Sequence, residues 1–191
     1  MKKIILGSNS PRRRELLKGL DIDYTVDTAN SFEESLEPGV DPRLIPVHMA
    51  EGKSHGFHRP LEDDELLITA DTVVLSFEDG TAVLGKPHSR EEAVEMLKML
   101  SGRTHEVVTA VTLRDSGHEK TFTDSTLVTF ETLTDDEVDY YVDRYKPYDK
   151  AGAYGIQEWI GYAAISRIEG SFYNVMGFPV HRVYQELLNF I

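Results

Sequence analysis

Short aliphatic and β-branched runs alternate along this chain with stretches whose apolar residues recur every three or four positions, the mark of strands interleaved with amphipathic helices. Lys3 to Leu6 is an apolar run suited to a buried strand. Ser10 then sits where an N-cap belongs and Pro11 at the first helical position, so a helix starts at about Pro11. Asp23 to Thr28 reads as a second strand, and the acidic, Pro- and Gly-bearing segment from Ser31 to Pro42 reads as a loop. A helix is expected over Arg43 to Phe57, with Pro46 confining its start. Glu65 to Ser76 is a long strand signal, and Glu78-Asp79-Gly80 is a hairpin turn into Thr81 to Gly85. Ser89 with Glu92 makes a capping box for a helix to Leu100, closed by Gly102; Thr134 with Glu137 makes another, for a helix ending near Tyr145. Between them, His105 to Arg114 and Lys120 to Leu133 form a hairpin around Ser116-Gly117. Trp159 to Ile168 reads as a strand, and Pro179 opens a terminal helix on which Val180, Val183, Tyr184 and Leu187 repeat at helical spacing. Hairpins together with helix-linked strands predict an α/β fold with a mixed sheet.

The 191 residues suit one domain, 1–191, with a real core and room for two lobes around a cleft. No cysteine is present, which excludes disulfides, thiolate metal sites and a cysteine nucleophile and is consistent with a reducing compartment. Met1 to Leu6 imitates the start of a signal peptide, but the apolar run breaks at Gly7 and Ser8, and no later segment approaches membrane-spanning length. A cytoplasmic location is therefore expected. With 33 acidic against 20 basic residues, the formal charge of -13 repels polyanions, so nucleic acid and anionic membranes are not expected partners. A small phosphorylated ligand in a local basic pocket is compatible, because close charge-assisted hydrogen bonds dominate a screened global field.

Such a pocket is suggested by Gly7-Ser8-Asn9-Ser10-Pro11-Arg12-Arg13-Arg14. Small residues after a strand let a ligand approach the backbone, and the N–H groups of a helix start face it. The arginines oppose the dipole of that helix end. They are either solvated helix residues or the basic wall of an anion site. Asp71 interrupts the apolar run Leu67 to Val74; a carboxylate there is paired, bound to metal or used as a base, unless it points outward from a half-exposed strand. Glu33 and Glu34 are weaker acidic candidates. Lys53, Lys86 and Lys150 each sit near a turn or glycine-marked bend, as phosphate-binding lysines do. The histidines have no metal-ligand spacing and read as structural or solvated, and Trp159 as core or base-adjacent.

Taken together, Ser8 to Leu17, Ala70-Asp71-Thr72-Val73-Val74, Gly85-Lys86-Pro87 and Leu100-Ser101-Gly102-Arg103-Thr104-His105 resemble the Maf family of nucleoside triphosphate pyrophosphatases, once described as septum-formation inhibitors. The resemblance continues through Asp149 to Gln157 and Gly170 to Pro179 and covers nearly the full length. It implies an elongated mixed β-sheet flanked by helices, in two lobes with a central cleft, similar to inosine triphosphate pyrophosphatases. It also implies a hydrolase cleaving a nucleoside triphosphate to the monophosphate and pyrophosphate with Mg²⁺ or Mn²⁺, and homodimers are common in the family. Asp71 matches the catalytic acid/base, and Glu33 with Asp71 the metal site. Ser8, Ser10, Arg13, Lys53 and Lys86 match phosphate-binding positions, and Arg12, Thr72 and Gln157 carry substrate choice.

The Asp149 to Gln157 segment resembles the pyrimidine branch, acting on dTTP and UTP; modified substrates such as 5-methyl-UTP and pseudo-UTP fit the same branch. One amide of Gln157 can donate to a pyrimidine carbonyl and accept from the ring N–H. The chain departs from the family at Gly7, where Ala is usual, and in Met49 to Ser54, a looser version of the family's helical segment, which bears on Lys53. Alternatives are a pyrophosphatase for 7-methyl-GTP or a damaged purine triphosphate, and a non-catalytic nucleotide-binding regulator of septum formation. The biological expectation is nucleotide house-cleaning or an arrest of cell division.

Overall fold

Two strands are buried along most of their length, β3 (Glu65–Ser76) and β5 (Thr104–Arg114), and the sheet grows outward from them. β1 (Lys3–Leu6) runs parallel to β3 with Ile4 opposite Leu66, and β2 (Tyr24–Val26) lies parallel on its other side. β6 (Glu119–Phe130) neighbours β5 and carries β7 (Ile165–Glu169) antiparallel at the edge. β4 (Ala82–Leu84) pairs antiparallel with the end of β3. The seven-stranded sheet is mixed, as the pattern of hairpins and helix-linked strands requires. This computed structural model describes residues 2–35, 39–77 and 80–190, so Glu78 and Asp79 of the expected hairpin turn lie outside the described residues.

The chain forms two units, each assembled from separated segments: Met1–Asp71 with Thr109–Asp124 and Gly177–Ile191, and Thr72–Val108 with Ser125–Met176. In the first, α1 (Pro11–Lys18) starts as expected, with Ser10 Oγ accepting from the Arg13 N–H at 3.4 Å, and it buries Leu16 and Leu17. The expected helix from Arg43 is in fact a 3-10 turn, Pro42–Leu44, capped by Asp41, followed by α2 (Ile45–His55). Pro46 sits at the start of α2, where its missing N–H costs no helical bond. Ile5, Phe57, Leu61 and Leu67 form a buried cluster. The terminal helix α7 (Val180–Leu187) buries Val183 and Leu187 but leaves Tyr184 exposed, so its apolar stripe is narrower than the sequence suggests.

In the second unit, α3 (Arg90–Leu100) and α4 (Asp135–Tyr145) begin at the two predicted caps. Thr134 and Glu137 form the full reciprocal box. Ser89 accepts from the Glu92 N–H, but Glu92 reaches back one residue further, to the His88 N–H at 2.7 Å. His105, Phe130 and Tyr154 meet edge to face in the core, with His105 Nε2 2.7 Å from the Tyr154 hydroxyl. His105 is thus structural. The expected strand from Trp159 to Ile168 is wrong in its first half. Trp159–Ala163 is the short helix α5, and only Ile165 onward pairs as β7. The reason is Gly161, where a Cβ would fall 1.7 Å from the Ile156 carbonyl oxygen, so the backbone folds back on itself where an extended strand was expected. Between β7 and Met176 lies a one-turn helix, α6 (Phe172–Val175), capped by Ser171 and unforeseen in the sequence.

Candidate active site

The turn from β1 into α1 lies against β3. The Gly7 N–H donates to the Ile68 carbonyl at 2.8 Å, and a Cβ at Gly7 would lie 3.0 Å from Thr69 Cγ2, which accounts for the smallest residue standing there. Ser8 is buried, and its Oγ accepts from the Ser10 N–H at 3.2 Å. The arginine triplet divides. Arg13 turns inward, donating from Nε to the Gly177 carbonyl at 2.9 Å and from Nη1 to the Ala70 carbonyl at 2.8 Å. Burial lowers its pKa from the ordinary arginine range and Arg12 adds to that, while Asp71 opposes; the guanidinium stays charged. Arg14 turns the other way, donating to Asn9 Oδ1 at 3.3 Å while its carbonyl takes the Tyr24 hydroxyl. Arg12 is half-buried in the first turn of α1.

Asp71, half-buried, follows Ala70 on β3, and its Oδ1 accepts from Lys53 Nζ at 2.7 Å. Lys53 is carried there by α2, whose Ala50 carbonyl takes the Thr69 hydroxyl at 2.7 Å one turn earlier. The same ammonium pairs with Glu34 Oε1 at 3.0 Å. Glu34 arrives because the loop before it docks on α2 through two glycines. A Cβ at Gly52 would lie 2.2 Å from the Phe32 ring, one at Gly56 2.5 Å from Asn30 Oδ1, and the Ser31 N–H donates to the Gly56 carbonyl at 2.8 Å. The looser Met49 to Ser54 segment is therefore a fitted surface for Phe32, and it brings Lys53, expected at a phosphate-binding position, to the Asp71 carboxylate. Glu33, the residue expected with Asp71 at a metal site, is exposed in the same loop, and it is its neighbour Glu34 that pairs with Lys53.

The first unit thus holds Ser8, Ser10, Arg12, Arg13, Glu33, Lys53 and Asp71, and the second holds Thr72, Lys86 and Gln157. Lys86 is exposed just beyond β4, and the Gly85 carbonyl before it accepts from the Gly152 N–H at 3.0 Å. Gly152 has a φ of +68°, and Ala153 after it a φ of +58°. Two left-handed residues in succession, one of them an alanine, mark a strained turn of the kind found at working sites. Gln157 is half-buried, and its Oε1 is buried with no hydrogen-bond partner among the described residues. Lys150 differs from the sequence expectation. It is 7% exposed and bonded to Asp149 at 2.7 Å and Glu158 at 3.1 Å, so its charge is used internally. Trp159 is half-buried and meets Tyr140 edge to face at 5.1 Å.

Asp71 and Glu34 are hard oxygen donors gathered within 3.0 Å of one cationic group, which suits a divalent cation such as Mg²⁺ or Mn²⁺. Among the described residues no three His, Cys, Asp or Glu gather as a group that could hold a metal ion. No described helix is long and apolar enough to cross a membrane.

These features define an α/β protein in which a strand–turn–helix start bearing small residues and arginines lies beside a carboxylate on β3. The chain belongs to the Maf family, whose model, described as Maf-like protein, matches residues 3–190. A Porphyromonas gingivalis protein named dTTP/UTP pyrophosphatase is 55% identical over 190 residues, covering 98% of this chain and 94% of its own. Proteins of the same name from Parabacteroides distasonis and Flavobacterium johnsoniae are 52% and 42% identical, covering 98% and 99% of this chain and 96% and 95% of theirs. The solved structure of the Staphylococcus aureus Ham1 protein matches with a TM-score of 0.50 over 98% of each chain at 16% identity, a likeness of fold.

Proposed function

We propose that this protein hydrolyses dTTP and UTP to the nucleoside monophosphate and pyrophosphate. The observation that carries the reading is the cluster of Arg13, Lys53, Glu34 and Asp71 around the β1–α1 turn; the names of its close relatives supply the substrate class. Asp71 accepts the proton of the attacking water, which adds to phosphorus as the anhydride bond to the leaving pyrophosphate breaks. Lys53 holds that carboxylate in place. Arg13, fixed by two backbone carbonyls, and Lys86 offset the charge on the transferring and leaving phosphates, and Ser8 and Ser10 bond phosphate oxygens. Asp71 with the Glu33-Glu34 pair would hold the divalent cation, which supplies charge neutralisation and a more acidic water.

Gln157, with Arg12 and Thr72, selects the base. Its partnerless Oε1 is ready to accept the ring N–H of uracil or thymine while its amide nitrogen donates to a ring carbonyl. Work on such a pool of free nucleotides belongs in the cytoplasm. The test is a panel of dTTP, UTP, CTP, 7-methyl-GTP, ITP and dATP with Mg²⁺ or Mn²⁺, measuring pyrophosphate and orthophosphate separately. Pyrophosphate from dTTP and UTP ahead of the rest is the expected result. Orthophosphate as the primary product, or a purine preference, would overturn the reaction or the base assignment respectively.

A further inference from the structure

Gln157 occupies the third position of a tight turn from Gly155 to Glu158, closed by the Glu158 N–H donating to the Gly155 carbonyl at 3.0 Å. Tyr141, buried on α4, ties both ends of that turn. Its hydroxyl oxygen accepts the Gly155 N–H at 2.9 Å, and its proton is donated to Glu158 Oε2. The other oxygen of Glu158 takes the buried Lys150 ammonium at 3.1 Å. There is no slack on this side of the turn, since a Cβ at Gly155 would lie 2.9 Å from Lys150 Cε and 3.0 Å from Glu158 Cδ. The far side is pressed by α5 through Gly161 against the Ile156 carbonyl.

Burying a lysine, a carboxylate and a phenol together costs desolvation that apolar packing would avoid. What the network provides in return is one geometry for the turn. That matters for an amide reader. The uracil edge offers a donor N–H beside an acceptor carbonyl, whereas cytosine offers an acceptor nitrogen beside a donor amine, so an amide rotated by half a turn reads the wrong base.

We propose that Tyr141 and Glu158, with Lys150, are positioning residues for base discrimination, locking the Gly155–Glu158 turn so that the Gln157 amide meets a uracil or thymine edge in one orientation. The role rests on Gln157 reading the base. Tyr141→Phe removes the hydroxyl that serves both ends of the turn and leaves the Gly155 N–H without its acceptor. Steady-state kinetics on UTP and CTP should then show the ratio of their kcat/KM values narrowing by about tenfold, through a raised KM for UTP with kcat little changed. Glu158→Gln, which keeps an acceptor for Tyr141 but loses the pairing with Lys150, should narrow it in the same direction, and decides the matter if Tyr141→Phe does not fold. Tyr141→Phe combined with Gln157→Ala should discriminate no worse than Gln157→Ala alone. Equal losses on UTP and CTP, or additive effects in the double variant, would overturn the proposal. If Gln157→Ala itself left the ratio at its wild-type value, the base assignment would fail instead.

Discussion

Replacing Asp71 by Asn separates the chemistry from the scaffold. The side chain keeps its shape, its amide oxygen can still accept from Lys53, and Lys53 keeps Glu34 at 3.0 Å. The side chains of Lys53 and Asp71 are 25% and 21% exposed, but Lys53 keeps both a hydrogen-bond acceptor and the charge of Glu34, so the lost ion pair is worth about 1 kcal/mol. In a chain of 191 residues that corresponds to a Tm change of no more than about 2–4 °C. Removing the group that takes the proton from water costs about 10²–10⁴ in rate, or about 3–5 kcal/mol on the barrier. Pyrophosphate release from UTP should therefore fall at least about a hundredfold in a protein that melts within a few degrees of the wild type. Both quantities are read on one preparation, by a coupled pyrophosphate assay and a thermal melt, with UMP binding as a check on the pocket. Activity within tenfold of wild type would remove Asp71 from the proton transfer. A parallel collapse of Tm would show that its role is to hold the fold.

Two further outcomes follow from the second unit. Burial pushes the His105 pKa down to about 3, so in acid the unfolded chain binds the proton that the folded one refuses. Stability present at neutral pH is then lost as pH falls from about 6.5 towards about 3, by up to about 1.4 kcal/mol per pH unit from this group. Urea unfolding of wild type and His105→Phe between pH 7 and 4 should show the steeper fall only in the wild type, and equal slopes would refute the assignment. Gly152→Ala forces a left-handed residue and a Cβ 3.0 Å from Val74, which should cost about 1–3 kcal/mol in denaturant unfolding; a change below measurement error would mean that the turn relaxes freely.

Much of the fold is legible in local chemistry. Ser10-Pro11, Ser89 with Glu92, and Thr134 with Glu137 mark three helix starts, because capping is decided within four residues. The sequence misleads where a distant or returning backbone decides. Trp159 to Ala163 runs without a charged residue into Ala164-Ile165, as a strand can, and nothing within that window reports that Gly161 must fit against the Ile156 carbonyl. The site divides in the same way. Arg13, Lys53 and Asp71 stand out by type and position, yet the choice of Glu34 as the partner of Lys53 depends on Phe32 packing into the space left by Gly52. Tyr141 and Glu158 leave no trace at all. One lies on an amphipathic helix whose pattern already explains an aromatic residue, and the other directly precedes the short helix α5, where the pattern reads as a strand.

The basic residues show why position beside a glycine or a turn is not enough to assign an anion-binding role. Arg13 and Lys150 are both held by several bonds: two that Arg13 donates go to backbone carbonyls, whereas Lys150 is held by two carboxylates. Arg13 is oriented by the carbonyls of Gly177 and Ala70, and the Asp71 carboxylate acts on its charge through space. Lys150 is fixed by the carboxylates of Asp149 and Glu158, which cancel it. In a chain of net charge -13 the long-range field opposes any phosphate, so attraction must come from cations whose charge is still presented at the site. By that criterion Lys150 is a structural counter-ion, and under the proposed function its influence on the substrate passes through the turn that carries Gln157.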